Sequence, residues 1–347
     1  MTKTRILLLL VILLMSSDAA FGQYIEIRIS VKVIVDPTTG ARPDGITDNL
    51  FQTAADHANN WLATYSRGYR YRVTEVVDIG GPTQGGTHGP SKWFGLDPRS
   101  EPDWSAFQAN TQNNSQYLLR SNQLNFYVSI GAVTNTGGKC PFPGESASAC
   151  WGLVNDGPFW LVHESGHFFG LPHTFGGADC DHATSPGDDG IGDTLPEKDC
   201  WTQNQISQNA YGVSYDSLLP GDLRRTNVDN TFFNSMSYHN AEQKDLVEDR
   251  RTEMQLDREA DIANSSRASV VSGKTRFVSH GIEASDSKDG LAHNAPKQTV
   301  LSAVNASSSG GGDIILLRPG HYNEQLTISK PVTLRATRDG SVTIGQP

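Results

Sequence analysis

The sequence predicts an α+β (mixed α/β) protein: a domain built on a twisted mixed sheet backed by helices, followed by a small β-rich module. Three observations predict it. Residues 24–36, YIEIRISVKVIVD, alternate apolar and polar with period two, the pattern of a half-buried strand. Leu50, Ala54, Ala58, Trp61 and Leu62 then recur at helical spacing, and YRYRVTEVVDI (69–79) returns to the strand pattern, a strand–helix–strand opening. Near the C-terminus four short β-rich runs follow one another at 314–317, 326–328, 332–335 and 342–344.

Lys3 and Arg5, an apolar run from Ile6 to Met15 and small residues up to Gly22 give residues 1–22 the layout of a signal peptide cleaved near Gly22. The run is shorter than the roughly 18 residues a membrane anchor needs, and no later segment is long and apolar enough to span. A secreted or extracytoplasmic protein without a transmembrane segment is therefore expected. Because the first strand begins within two residues of that cut, no propeptide is expected either.

From Gly80 to Asp103 the chain is rich in Gly and Pro and reads as a surface loop. A helix is expected around Trp104–Arg120, a strand at 124–130, a cysteine-bounded loop at 140–150 and an edge strand in WGLVN (151–155). Pro158 suits the first turn of the next helix, where its missing N–H costs nothing. After His173 the chain reads as irregular and acidic until a second amphipathic helix at 246–264. These readings divide the chain into a main domain (23–265), a polar linker (266–297) and the β-rich module (298–347), with activity expected to survive truncation near Lys274.

With 28 basic and 38 acidic residues the net charge is −10, and no basic stripe is interleaved with aromatics, which argues against nucleic acid as a partner. Four cysteines in an exported chain favour two disulfides. Of the three pairings, Cys140–Cys150 and Cys180–Cys200 are preferred, because each closes a local loop rich in Gly, Pro and Asp. A four-cysteine zinc site lacks the short Cys-x-x-Cys spacing it would need.

The densest chemistry lies in LVHESGHFFGLPHTF (161–175). His163 and His167, four apart, share one helix face and can reach one ion, and Glu164 stands beside it. Gly170 can adopt the positive φ that stops a helix and turns the chain back, returning His173 as third ligand. Three imidazoles with a fourth position open to water is the arrangement of catalytic Zn2+, which lowers the pKa of its water so that Glu164 can act as general base. The chemistry is hydrolysis. His57, His88, His182, His239, His293 and His321 have no partner pattern and stay unassigned.

His163-Glu164-x-x-His167-x-x-Gly170-x-x-His173 resembles the metzincin signature, and HESGHFFGLPHTF resembles its pappalysin (cytophagalysin-like) branch. NSMSY (234–238) is similar to that family's Met-turn, the acidic loop 180–200 to its cysteine-bounded loop, and EDRRTEMQLDR to the helix after the Met-turn. The loop departs from the family by a leucine inserted into Asp193-Thr194-Leu195-Pro196. The likeness runs from about Tyr24 to Asn264. It implies a zinc endopeptidase acting on protein or peptide substrates, with Met236 as an apolar floor beneath the ligands and Tyr238 donating to the oxyanion. It also implies a structural Ca2+ near Asp179, Asp181, Asp188, Asp189 and Asp193, for which no ligands are assigned. The segment around PGHY (319–322) resembles the opening of a right-handed parallel β-helix. The competing reading is an exported protein that binds a glycan or protein surface and carries a vestigial zinc site; an intact Glu164 argues against it.

Overall fold

The computed structural model describes residues 24–65, 67–130, 137–145, 149–152, 157–239 and 250–345, with the side chains of 157–160 left aside. The signal-peptide segment and residues 153–155 and 246–249 lie outside the described residues. Five strands make the main sheet, β1 (Ile25–Val35), β2 (Tyr69–Gly80), β3 (Leu124–Val128), β4 (Gly138–Lys139) and β5 (Ala149–Gly152), in the order β2-β1-β3-β5-β4. All pairings are parallel except β4 against β5.

Helix α1 (Asp48–Ala63) and helix α3 (Gly157–Phe168) cover one face of the sheet, where Ile27, Ile29, Val31 and Val33 meet Ala55, Ala58, Leu161 and Phe168. On the other face Ile34 and Ile79 pack with Trp93, Trp104, Phe107, Tyr127 and Trp151, using helix α2 (Asp103–Asn113) and a short 3-10 turn at Pro90–Trp93. A parallel central strand is covered on both sides, so β1 is not half-buried as its alternation predicts: even Ser30 and Lys32 are fully enclosed. The segment 80–103 is likewise more than a surface loop, since Trp93 anchors the second core. Helix α2 stops at Asn113 rather than at 120, and Leu118, in a left-handed conformation, turns the chain toward β3. Tyr117, just before that turn, is buried in the second core.

Between His173 and residue 239 the expected irregular stretch contains two helices, α4 (Gln203–Tyr211) and α5 (Leu223–Phe232), which bury Ile206 and Val228 against each other. The next helix, α6 (Glu253–Asn264), begins later than predicted, at a Thr252–Gln255 capping box. Disulfides join Cys140 to Cys150 and Cys180 to Cys200, as the loop argument expects. Among the described residues no helix is long and apolar enough to cross a membrane.

The segment 266–297 differs from a free linker. It carries β6 (Thr275–Val278), which pairs in parallel with β7 (Asp313–Leu317), and β7 pairs in parallel with β9 (Val332–Ala336). Helix α7 (Val300–Ala306) packs behind them. No strand forms at 326–328; instead β8 (Gly320–Tyr322) pairs with β10 (Val342–Ile344). The run Leu326–Ile328 has apolar residues at its ends, but only strand partners make a strand, and here Leu326 packs on the apolar cluster of Val300, Val304 and Ile315 without one.

This module is packed onto the main domain. Ile314 belongs to the main core, Phe277 and Leu316 close over Ala260, and Tyr69 hydrogen-bonds Thr275 at 2.8 Å. Arg67 pairs with Glu253 and Asp257 on α6, which also receive Arg338 and Arg318 from the module. A chain ending at Gly273 should therefore unfold at a lower urea concentration than the full chain. Ile314→Ala should cost about 2–5 kcal/mol in the same titration, as a large-to-small change in a closed core. An unchanged midpoint for both would mean that the module only rests on the surface.

Candidate metal centre

Helix α3 carries His163, Glu164 and His167, and its termination places His173. The N–H of Leu171 bonds the Gly166 carbonyl and that of Gly170 the His167 carbonyl (both 2.9 Å), with Gly170 at φ 89°. These are the paired 6→1 and 5→2 bonds of a Schellman ending, which needs a residue free of Cβ strain at the left-handed position. The chain then doubles back, and the Thr174 N–H ties it to the Met236 carbonyl at 3.2 Å.

The three predicted ligands converge. His173 Nε2 lies 3.2 Å from His163 Nε2 and 3.0 Å from His167 Nε2. His163 Nδ1 is 2.7 Å from the Ser235 carbonyl and His167 Nδ1 2.7 Å from the Leu171 carbonyl. A carbonyl only accepts, so each of these Nδ1 atoms carries the proton and each Nε2 presents a lone pair. Burial pushes His167 down to about 4 and His173 to about 3, the latter also feeling His167, so both are neutral in neutral solution. Lone pairs converging in this way can hold a cation. Tetrahedral zinc with Zn–N near 2.0–2.1 Å sets its nitrogens ~3.3 Å apart, close to the spacing found, and the carbonyl-bound Nδ1–H groups are the outer contacts that fix such ligands.

Glu164 is buried beside the histidines, under the backbone of β4. A Cβ on Gly138 would stand 2.8 Å from its Cγ and Cδ, so only glycine lets the edge strand lie there. Arg99, paired with Asp97 and accepting Lys139 Nζ on its carbonyl, brings positive charge toward Glu164 and Tyr238. The Tyr238 ring lies 4.4 Å from His173 and 5.6 Å from His163, centre to centre, and is 55 % exposed. Loss of solvent, then the Glu164 charge, pushes its phenol up to about 12, so it remains a proton donor. Met236 is fully buried with Leu171 and Ile191, and its sulfur would be 2.5 Å from a Cβ on Gly166 of α3.

Sequence reasoning missed the residues that hold this arrangement. Arg251 is enclosed; its guanidinium donates to Ser235 Oγ (2.5 Å) and the Val162 carbonyl (2.8 Å) and pairs with Glu259. Glu197, also enclosed, accepts from Thr174 Oγ1 and bonds His239 Nε2 at 2.5 Å. It thereby joins the residue after His173 to the residue after Tyr238. Nothing in sequence separates Glu197 from the other acids of its loop or Arg251 from its neighbour Arg250; both are distinguished only by burial. Other acids of the loop accept hydrogen bonds from within the loop and from α6. Asp188 accepts the Gly190 N–H, Asp189 the Ile191 N–H and the Thr194 hydroxyl, and Asp193, in the element with the inserted leucine, accepts the N–H of Met254 in the first turn of α6. Among the described residues these acids form no group of three converging ligands; the other such group, Cys180, Asp199 and Cys200, contains a disulfide.

The depressed histidines set a pH dependence for the metal-free protein. The unfolded chain takes up protons below the usual histidine value near 6.5, while folded His167 and His173 do so only near 4 and 3, so stability falls as pH drops from 6.5 toward 4. Asp189, raised by burial to about 6, has the opposite sign and offsets one of the two protons between about 4 and 6. Urea midpoints of chelated protein should fall across this window, and less so in a His167→Asn/His173→Asn double variant. Equal slopes would mean that the two rings are solvated.

No family model and no curated protein matches the chain. Among solved structures it is similar to mature mirolysin of Tannerella forsythia in complex with a cleaved peptide, at a TM-score of 0.45 and 13% identity over 71% of this chain and 95% of that one. It is similar to mirolysin in complex with compound 9 at 0.45 and 16%, over 72% and 96%.

Proposed function

We propose that the protein is a zinc-dependent endopeptidase of metzincin type, exported from the cell. The observation that carries this reading is the convergence of three imidazole Nε2 atoms beside a buried glutamate and a tyrosine. His163, His167 and His173 would hold a zinc ion, which would supply a Lewis acid to polarise a peptide carbonyl and acidify water. Glu164 takes the proton of the attacking water and returns it to the departing amine. Tyr238 donates its phenol to the developing oxyanion, the kind of contact worth about 3–4 kcal/mol elsewhere. Met236 serves as the apolar floor of a Met-turn, a reading supported by its burial with Leu171 and Ile191 and its approach to Gly166 on the ligand helix. Export is supported by the two disulfides.

The parallel pairing of β6, β7 and β9, with β8 and β10 on a second short sheet, supports reading the C-terminal segment as the start of a parallel β-helix. Calcium on the acidic loop is part of the same resemblance. The buried Asp189 beside Asp188 supports it, and the N–H groups those carboxylates already accept count against it. A melting temperature unmoved by Ca2+ after chelation would remove it from the proposal. No observation favours the binding-protein reading.

Chelation should abolish cleavage of a protein substrate, and zinc should restore it. Glu164→Gln should keep one zinc per chain and lose nearly all turnover, His167→Ala should lose both, and Tyr238→Phe should lower kcat by about 100-fold with little change in KM. Zinc content by mass spectrometry and turnover on one peptide check these together; activity that survives full chelation overturns the reading.

Glu197→Gln should retain zinc yet lower kcat more than KM rises, because it loosens the Tyr238 loop against His173. A change in zinc affinity alone would instead make Glu197 a support of the ligands.

A further inference from the structure

On the face of the sheet away from the histidines, three adjacent strands bring together a lysine, an asparagine and a glutamate. Lys32 on the central strand β1 and Asn125 on β3 are both fully enclosed. Lys32 Nζ lies 2.5 Å from Asn125 Oδ1 and 2.5 Å from Ser30 Oγ, and the Ser30 hydroxyl donates to Glu75 at 2.6 Å. Glu75 owes its place to a bulge in β2: Ile29 pairs with Val73 but Ser30 with Glu75, so the extra residue, Thr74, turns the glutamate onto the lysine's face.

The asparagine amide is held rigidly. Its Oδ1 accepts the Arg120 N–H at 2.8 Å, and its Nδ2 donates to the carbonyls of Arg120 and Gln123 at 2.8 and 2.7 Å. The amide carbon lies one C=O bond (~1.2 Å) beyond Oδ1, so it is within about 3.7 Å of the amine, close to the ~3–3.5 Å of a near-attack arrangement. Burial pushes Lys32 down to about 7, with Glu75 opposing and Arg120 assisting, so a large share of the amine is uncharged and nucleophilic at neutral pH. As an ammonium it would sit enclosed against two neutral acceptors, with Glu75 one hydroxyl away and already paired with the Arg120 guanidinium at 2.6 and 3.0 Å. An amide removes that buried charge.

We propose that Lys32 and Asn125 are a self-modification site, joined by an isopeptide bond between β1 and β3. Nζ attacks Cγ of Asn125 while the Arg120 N–H stabilises the charge growing on Oδ1. The C–Nδ2 bond breaks and the Nζ–Cγ bond remains. The proton lost by Nζ passes to Nδ2, which leaves as ammonia, while Ser30 and Glu75, a carboxylate that Arg120 holds down at about 2, orient the amine. No oxidant, cofactor or second protein is consumed, and the inference is independent of the zinc reading.

The test is peptide mapping of the reduced full chain. Loss of ammonia lightens the protein by about 17 Da, but a glutamine at a newly cut N-terminus such as Gln23 loses the same mass on cyclising, so the site must be located. Trypsin does not cut at an acylated lysine or before Pro43, so the linked form gives one branched species joining residues 29–67 to 121–139. Lys32→Arg and Asn125→Ala should each abolish it, and Ser30→Ala should slow its formation, because the Ser30 hydroxyl positions the amine. Complete cleavage after Lys32, with 121–139 recovered at its full mass from the unaltered protein, overturns the proposal whether or not the variants fold. A branched species that forms at an unchanged rate in Ser30→Ala overturns the positioning role of that hydroxyl.

Discussion

The buried guanidinium of Arg251 is the contact on which the arrangement of the site depends. It enters between α3, the loop bearing Met236 and helix α6, donating to Val162 and Ser235 and pairing with Glu259, while the backbone N–H of Arg251 bonds the Tyr65 hydroxyl just after α1. A charge so enclosed is stable only when its donors are met. Here they are met by three separate parts of the chain, so those parts take up one mutual position. Ser235, held by Arg251, in turn offers its carbonyl to His163, which sets the proton on Nδ1 and frees Nε2.

Close approach around that guanidinium is possible because three side chains are missing. Gly166 leaves room for the Met236 sulfur and the Arg251 guanidinium against the helix, and Gly138 lets β4 cross Glu164. Gly170 reverses the chain so that His167 and His173 face each other. Each glycine weakens its own element, since it brings the largest loss of backbone freedom. The disulfide Cys140–Cys150 and the edge pairing of β4 with β5 restrain the same region.

The C-terminal segment shows how polar composition hides packing. Residues 266–297 are short of large apolar side chains, yet Arg267 lies over Phe168 and Asn264 bonds the carbonyls of Thr275 and Leu291, closing the join between the two parts. The ion pairs of Arg67, Arg318 and Arg338 with two acids of α6 extend that join. Their partners lie tens to hundreds of residues apart, so no local pattern announces them.

Local regularities were legible in the sequence wherever the physics is local. The period of β1 and β2, the helical spacing of α1, the i,i+4 histidines and the helix-ending Gly170 each depend on a few neighbouring residues, and all were read from them. The capping box Thr202-x-x-Gln205 was equally readable, yet α4 went unnoticed because its apolar stripe is short. Tertiary structure alone decided what burial creates. Ser30 and Lys32 look like solvent-facing positions of a half-buried strand until a second layer covers them, and Glu197 and His239 are ordinary loop residues until they are enclosed together. Desolvation is a property of everything that surrounds a group, and a linear pattern records only the neighbours along the chain.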